Sequence, residues 1–224
     1  MRRGEALLRW RHPELGWVPP QQFVPVAEET GLISALGDHV LSEACEVARE
    51  WPHLTIAINL SPVQFCDEDF AERACRLVRE AGIDPSQIEF EVTEGVVLDQ
   101  NELVRGALRR FRKAGFRIAL DDFGTGYSSL SCLRNFDVDR IKIDKSFTQG
   151  LGQSLESSAI ITAVITLGHA MGLQVTAEGV ETSGQHEYLR SAGCNMLQGY
   201  LFSKAVPASE LRQSIERYKQ GRAA

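Results

Sequence analysis

Six oxygen-bearing side chains and one lysine stand in strand-like segments, most at or near the C-terminal ends: Glu5, Asn59, Glu91, Asp121, Asp122, Glu178 and Lys142. Four or more carboxylates gathered at one place cannot all stay ionised at neutral pH without a cation. Oxygen donors without clustered His or Cys suit hard ions such as Mg²⁺ or Mn²⁺. Asp121-Asp122 is the sharpest local signal, because adjacent aspartates at a strand end can bridge or flank two ions. Two such ions activate a water and stabilise the leaving oxygen in phosphodiester hydrolysis. Lys142 is suited to orient that water and to offset phosphoryl charge. Taken singly, each residue has a plainer reading. Glu5 would be a surface strand residue, Asp121-Asp122 before Phe-Gly a turn, Lys142 a snorkelling lysine and Glu181 a helix-start residue. Only their joint parity and order select the chemical reading.

Strand parity is what gathers them. In Glu89-Phe90-Glu91-Val92-Thr93, Phe90 and Val92 share one face and the two glutamates the other. Ile56 and Ile58 oppose Asn59, Ile118 and Leu120 oppose Asp121, Ile141 and Ile143 oppose Lys142, and Val175 and Ala177 oppose Glu178. One face is apolar and must pack on helices; the other carries the charges. In a (β/α)8 barrel that second face is the lumen, and chemistry sits at its C-terminal mouth.

The expected strands are 4–10, 54–60, 87–93, 116–121, 138–143, 173–178 and 195–200. Seven strands are one short of a closed barrel. Helical periodicity lies between and after them. Leu103, Val104, Ala107, Leu108 and Phe111 form one stripe, with Asp99 and Glu102 resembling a capping box. Ile160, Val164, Leu167 and Met171 form a second stripe, expected to be core. Gly82, Gly115, Gly172 and Gly193 each close a helix just before a strand. The alternation, with no linker or repeat, implies one parallel-sheet domain over 1–224.

The chain has 224 residues, 24 Lys+Arg and 30 Asp+Glu, for a net charge of −6. That balance argues against binding a DNA or RNA polymer, but not against a small anionic substrate near a cation. The five cysteines form no CxxC pair and the histidines no HxxxH pair. This reads as free thiols in a reducing compartment. No apolar stretch reaches membrane-span length, and the N-terminus lacks a signal-peptide pattern. A cytoplasmic location is expected.

Glu5-Ala6-Leu7 followed by Leu8-Arg9-Trp10-Arg11-His12-Pro13 resembles the signature of the EAL-domain cyclic-di-GMP phosphodiesterases. Six further segments fit the same family in order. They are Ile58-Asn59-Leu60-Ser61, Glu91-Val92-Thr93-Glu94, Asp121 through Ser128, Ile141-Lys142-Ile143-Asp144, Ala177 through Glu181, and Gln198-Gly199-Tyr200. Any one is weak; seven in order are specific. The resemblance implies a modified TIM barrel that hydrolyses cyclic di-GMP to linear pGpG with two Mg²⁺ or Mn²⁺ per site.

Carried over by the resemblance, Glu5, Asn59, Glu91, Asp121, Asp122 and Glu178 are metal ligands. Lys142 and Glu178 are the catalytic pair at the attacking water. Leu7, Arg9, Asp122, Glu181 and Gln198 contact substrate. Glu94 anchors the Gly-rich loop 123–130, which in the family links metal binding to dimerisation, so a homodimer is expected. A sensor or cyclase domain upstream in a longer protein is a further expectation. The family carries an additional strand before the EAL motif, whereas Glu5 is almost the first residue here. The chain is therefore expected to be a fragment or N-terminally shortened, with one barrel strand lacking. The alternatives are a non-catalytic cyclic-di-GMP receptor and another metal-dependent TIM-barrel enzyme of aldolase or enolase type.

Overall fold

The computed structural model describes residues 3–98, 101–125 and 137–221. The chain divides into two compact units, Met1–Val92 with Val96–Ile118, and Thr93–Gly95 with Ala119–Ala224.

The first unit opens with β1 (Arg3–Ala6) and a hairpin of β2 (Trp10–His12) and β3 (Gly16–Val18). Helices α1 (Pro20–Glu29) and α2 (Ile33–Glu50) lead to β4 (Thr55–Asn59). Helix α3 (Phe70–Ala81) leads to β5 (Ile88–Thr93), which is followed by α4 (Glu94–Leu98) and α5 (Glu102–Ala114). The parallel order is β1-β4-β5. The register sets Glu5 beside Ala57 and Asn59 beside Glu91.

The apolar face of this sheet is held by aromatic rings. Phe90 stands 4.5 Å from Phe111 of α5 and 4.9 Å from Phe116, and Phe70 of α3 stands 5.6 Å from Phe111, all measured between ring centroids. Phe111 is fully buried. Helices α3 and α5 end on Gly82 and Gly115 in the left-handed conformation, as the spacing implies. The start of α5 differs from expectation. Its cap is Asn101, whose side chain accepts from the Leu103 amide. Asp99 lies outside the described residues.

The hairpin is absent from the sequence reading, which runs one strand from 4 to 10. The chain leaves β1 at Ala6 and re-pairs in antiparallel fashion, with Trp10 beside Val18. The His12 ring accepts from the Glu14 and Leu15 amides within the turn. Trp10 meets Phe23 of α1 edge-on at 5.7 Å.

The second unit contains β6 from Ala119 onward (the strand is Arg117–Phe123), β7 (Arg140–Ile143), α6 (Lys145–Gln149) and α7 (Leu155–Ala170). It continues with β8 (Gln174–Ala177), α8 (Ser183–Ser191), β9 (Met196–Leu197) and α9 (Leu211–Gly221). The parallel order is β6-β7-β8-β9. Among the described residues seven strands are parallel, and the architecture is α/β.

In α7 the buried positions are Ile161, Val164, Ile165 and Gly168; of the expected stripe Val164 is among them, while Ile160, Leu167 and Met171 are half-buried. Apart from a polar stripe at Ser158, Thr162, Thr166 and His169 the helix is apolar, so periodicity alone could not choose which flank is buried. Contact with the sheet chose it. A Cβ on Gly168 would lie 2.5 Å from Val175 Cγ2, so the helix backbone lies close against β8 here.

Replacing Phe111 by Ala removes the ring shared by α3, α5 and β5. Urea unfolding of the F111A protein is expected to show a loss of about 3–5 kcal/mol, the usual cost of a large core cavity.

Candidate active site

In the first unit the polar face of the strands carries Arg3, Glu5, Asn59, Glu89 and Glu91. Asn59 ends β4 and donates from Nδ2 to Glu5 Oε1 at 2.8 Å. Beyond it, the Leu60 amide donates to the Glu91 carbonyl at 2.9 Å. Ser61 then caps a short 3₁₀ turn, with Gln64 reaching back to its amide. These bonds fix the chain at the end of β4.

Glu89 and Glu91 are buried, and Arg3 meets both. Its Nε donates to Glu89 Oε1 at 2.7 Å, and its Nη2 donates to Glu91 Oε1. Burial opposes the charge on Arg3. Glu91 and Glu89 more than offset that penalty and hold the guanidinium more firmly protonated than usual. Arg3 was not among the sequence candidates. The available signal was its parity, because it stands two residues before Glu5 and so faces the same side.

In the second unit Lys142 is 1% exposed. Its ammonium lies 2.9 Å from Asp121 Oδ2 and 2.7 Å from Glu178 Oε1. The three side chains come from β6, from β7 and from the residue just after β8. The Glu178 amide donates to the Ile143 carbonyl at 3.2 Å, which sets the start of its turn.

Asp121 and Asp122 sit at a register shift between Leu120 and Phe123. Asp122 has φ of 54°, the only non-glycine in the left-handed region among the described residues. A bulge of this kind re-aims side chains and is common beside active sites. It sends Asp121 inward to Lys142 and leaves Asp122 exposed. The Asp122 amide donates to Asp121 Oδ1 at 2.9 Å. Partial desolvation, together with the charges of Asp121 and Asp144, holds the Asp122 carboxyl above the ordinary carboxylate range. Asp144 goes the other way. Burial works against its charge, but the Ser146 hydroxyl and amide bind it and keep its pKa low.

Glu94 is buried, and among the described residues neither of its carboxylate oxygens has a hydrogen-bond partner. Of the loop it is expected to anchor, residues 126–130 lie outside the described residues. The candidate substrate residues are more open. Leu7, Arg9 and Glu181 are exposed. Arg9 Nη1 donates to the Leu8 carbonyl at 2.9 Å, and the Glu181 amide donates to Gln185. Gln198 is half-buried, its amide donating to Ala177 and its carbonyl accepting from Val180.

The structure thus joins Glu5 to Asn59, and Lys142 to both Asp121 and Glu178. Among the described residues no group of three His, Cys, Asp or Glu side chains stands ready to hold a metal ion; Glu5 is bonded to Asn59, Glu91 to Arg3, and Asp121 and Glu178 to Lys142 instead. The donor chemistry nevertheless fits a hard divalent ion. All the candidate ligands offer oxygen, and the crowding of Asp121, Asp122 and Asp144 is what a cation relieves.

A family model for the EAL domain matches residues 1–205. The chain is similar to a cyclic di-GMP phosphodiesterase of Pseudomonas aeruginosa, 42% identical over 217 residues, covering 95% of this chain and 37% of the relative. Among solved structures it resembles the Pseudomonas aeruginosa MucR phosphodiesterase in complex with c-di-GMP. That match has a TM-score of 0.90 and 39% identity and covers 94% of this chain and 87% of the other. It also resembles Klebsiella pneumoniae BlrP1 in a manganese and cyclic-di-GMP complex, with a TM-score of 0.74, 33% identity and coverage of 84% and 48%. The chain spans between 25% and 37% of the length of the first four curated relatives. These likenesses agree with the fold class read from the sequence, a modified (β/α)8 type, of which seven parallel strands are found among the described residues. Among the described residues no helix is long and apolar enough to cross a membrane.

Gly179 follows Glu178 with φ of 67°, and a Cβ there would lie 2.6 Å from Lys145 Cβ. G179A is expected to lose about 1–3 kcal/mol, seen as a melting temperature lower by several degrees. Gly184 has open space around it, and G184A in α8 should melt no lower than wild type.

Proposed function

The chain belongs to the EAL domain family, and from that premise we propose that it is a metal-dependent phosphodiesterase converting cyclic di-GMP to linear pGpG. The observation that carries the reading is Lys142, buried yet bonded to both Asp121 and Glu178. A buried ammonium held between two carboxylates at strand ends is suited to phosphoryl chemistry. The relatives named for the same activity support the substrate.

In this reading Glu5, Asn59, Glu91, Asp121, Asp122 and Glu178 hold two Mg²⁺ or Mn²⁺ ions. When bound, such ions supply an activated water and neutralise charge developing on the phosphodiester. Lys142 orients the attacking water and offsets the phosphoryl charge, because its ammonium is fixed by Asp121 and Glu178. Glu178 accepts the proton that the water gives up. Arg9 and Gln198 contact the dinucleotide, with Leu7, Asp122 and Glu181 around it, and Glu94 anchors the loop that follows Asp122. The chain acts as one EAL-type domain of a longer cytoplasmic signalling protein, which carries a sensor or cyclase domain upstream, and it works as a homodimer.

Incubation with cyclic di-GMP and Mn²⁺, followed by chromatography, is expected to yield pGpG. EDTA should abolish turnover, and excess Mn²⁺ or Mg²⁺ should restore it. Lys142→Met should lower turnover by about 10²-fold or more, the usual loss when a placed electrostatic group is removed. Bound but unchanged dinucleotide in the Mn²⁺-loaded wild type would replace this reading with that of a receptor.

A further inference from the structure

We propose that Arg3 is the residue that positions Glu91 for divalent-cation binding. The inference rests on the reading of Glu91 as a metal ligand. Arg3 and Glu5 project from the same face of β1, and Glu89 and Glu91 from the same face of β5. The Arg3 side chain is 3% exposed and the two glutamate side chains are fully buried. Nε holds Glu89 at 2.7 Å and Nη2 holds Glu91.

A glutamate side chain has three rotatable bonds, and its strand fixes only the first atom of it. Something must choose the carboxylate's direction. A guanidinium is a planar fork of donors, so one side chain can fix two carboxylates relative to each other. Bonding one oxygen of a ligand carboxylate from behind is a common way to aim it at a cation. The two glutamates are not equivalent in this arrangement. Glu91 stands level with Asn59 in the strand register, and Asn59 is bonded to Glu5. Glu89 stands level with Ala57, one pleat further from that end. Glu89 therefore serves as the second hold on Arg3, and Arg3 as the hold on Glu91.

The test is Mn²⁺ binding by calorimetry to the metal-stripped chain, with no substrate present and thermal unfolding recorded alongside. E89Q keeps the Arg3–Glu91 bond and is expected to bind Mn²⁺ within about threefold of wild type. R3M/E89Q removes the fork together with one of the two buried acids it balanced. It is expected to bind about 10–100-fold more weakly, the usual loss when a ligand's supporting hydrogen bond is removed. A folded R3M/E89Q protein that binds as tightly as E89Q would overturn the proposal. R3K keeps the charge without the fork and serves if the double variant does not fold. Weaker binding supports the assignment, and wild-type affinity overturns it. E91Q separates the two levels. If it too binds like wild type, the ligand reading of Glu91 fails. If it loses Mn²⁺ while R3M/E89Q keeps it, only the role of Arg3 fails.

Discussion

An ionised carboxylate inside a protein is costly unless a cation or hydrogen bonds compensate it, since desolvating an unpaired charge costs several kcal/mol. This constraint shapes both units. Glu89 and Glu91 are buried because Arg3 is buried with them, and Asp121 and Glu178 approach each other because Lys142 lies between them. Without those cations, Glu89 and Glu91 on β5 and Asp121 on β6 could not be acidic and enclosed at once. The apolar faces of the same strands are free to pack because their polar faces are already neutralised. Phe90 on its helices and Glu91 on Arg3 are therefore two sides of one arrangement.

Backbone irregularity then decides where each acid points. A regular strand would send Asp121 and Asp122 to opposite faces. The bulge between Leu120 and Phe123, with Asp122 in the left-handed region, turns one aspartate to Lys142 and leaves the other open at the strand end. Such a conformation is costly for a residue with a Cβ and persists only where its surroundings over-determine it. Gly179 meets a similar demand after Glu178, where Lys145 leaves no room for a side chain. Both positions, one strained and one relieved by glycine, lie at strand ends that carry candidate ligands.

Much of the fold was legible because burial imposes period-2 patterns on strands and glycine marks helix ends. The parity of Glu89 and Glu91 against Phe90 and Val92 survives intact in β5. What failed did so for local reasons. The hairpin Trp10–Val18 is too short for periodicity to register, and its turn rests on the His12 ring. Helix α7 offered apolar residues on both flanks of its polar stripe, and the flank carrying Gly168, which lies against Val175, is the buried one. The Asn101 cap was displaced onto Asp99 because both residue types cap equally well.

The amino-acid sequence by itself determined the family, the parallel α/β architecture and the list of acids with Lys142, because each depends on residue type, order and alternation along one strand. Tertiary structure alone decided the partners. Lys142 stands 21 residues from Asp121, and Arg3 stands 88 from Glu91. Neither pairing leaves a trace in local spacing. A buried charge is compensated across neighbouring strands, and only the register of those strands says which residue will do it.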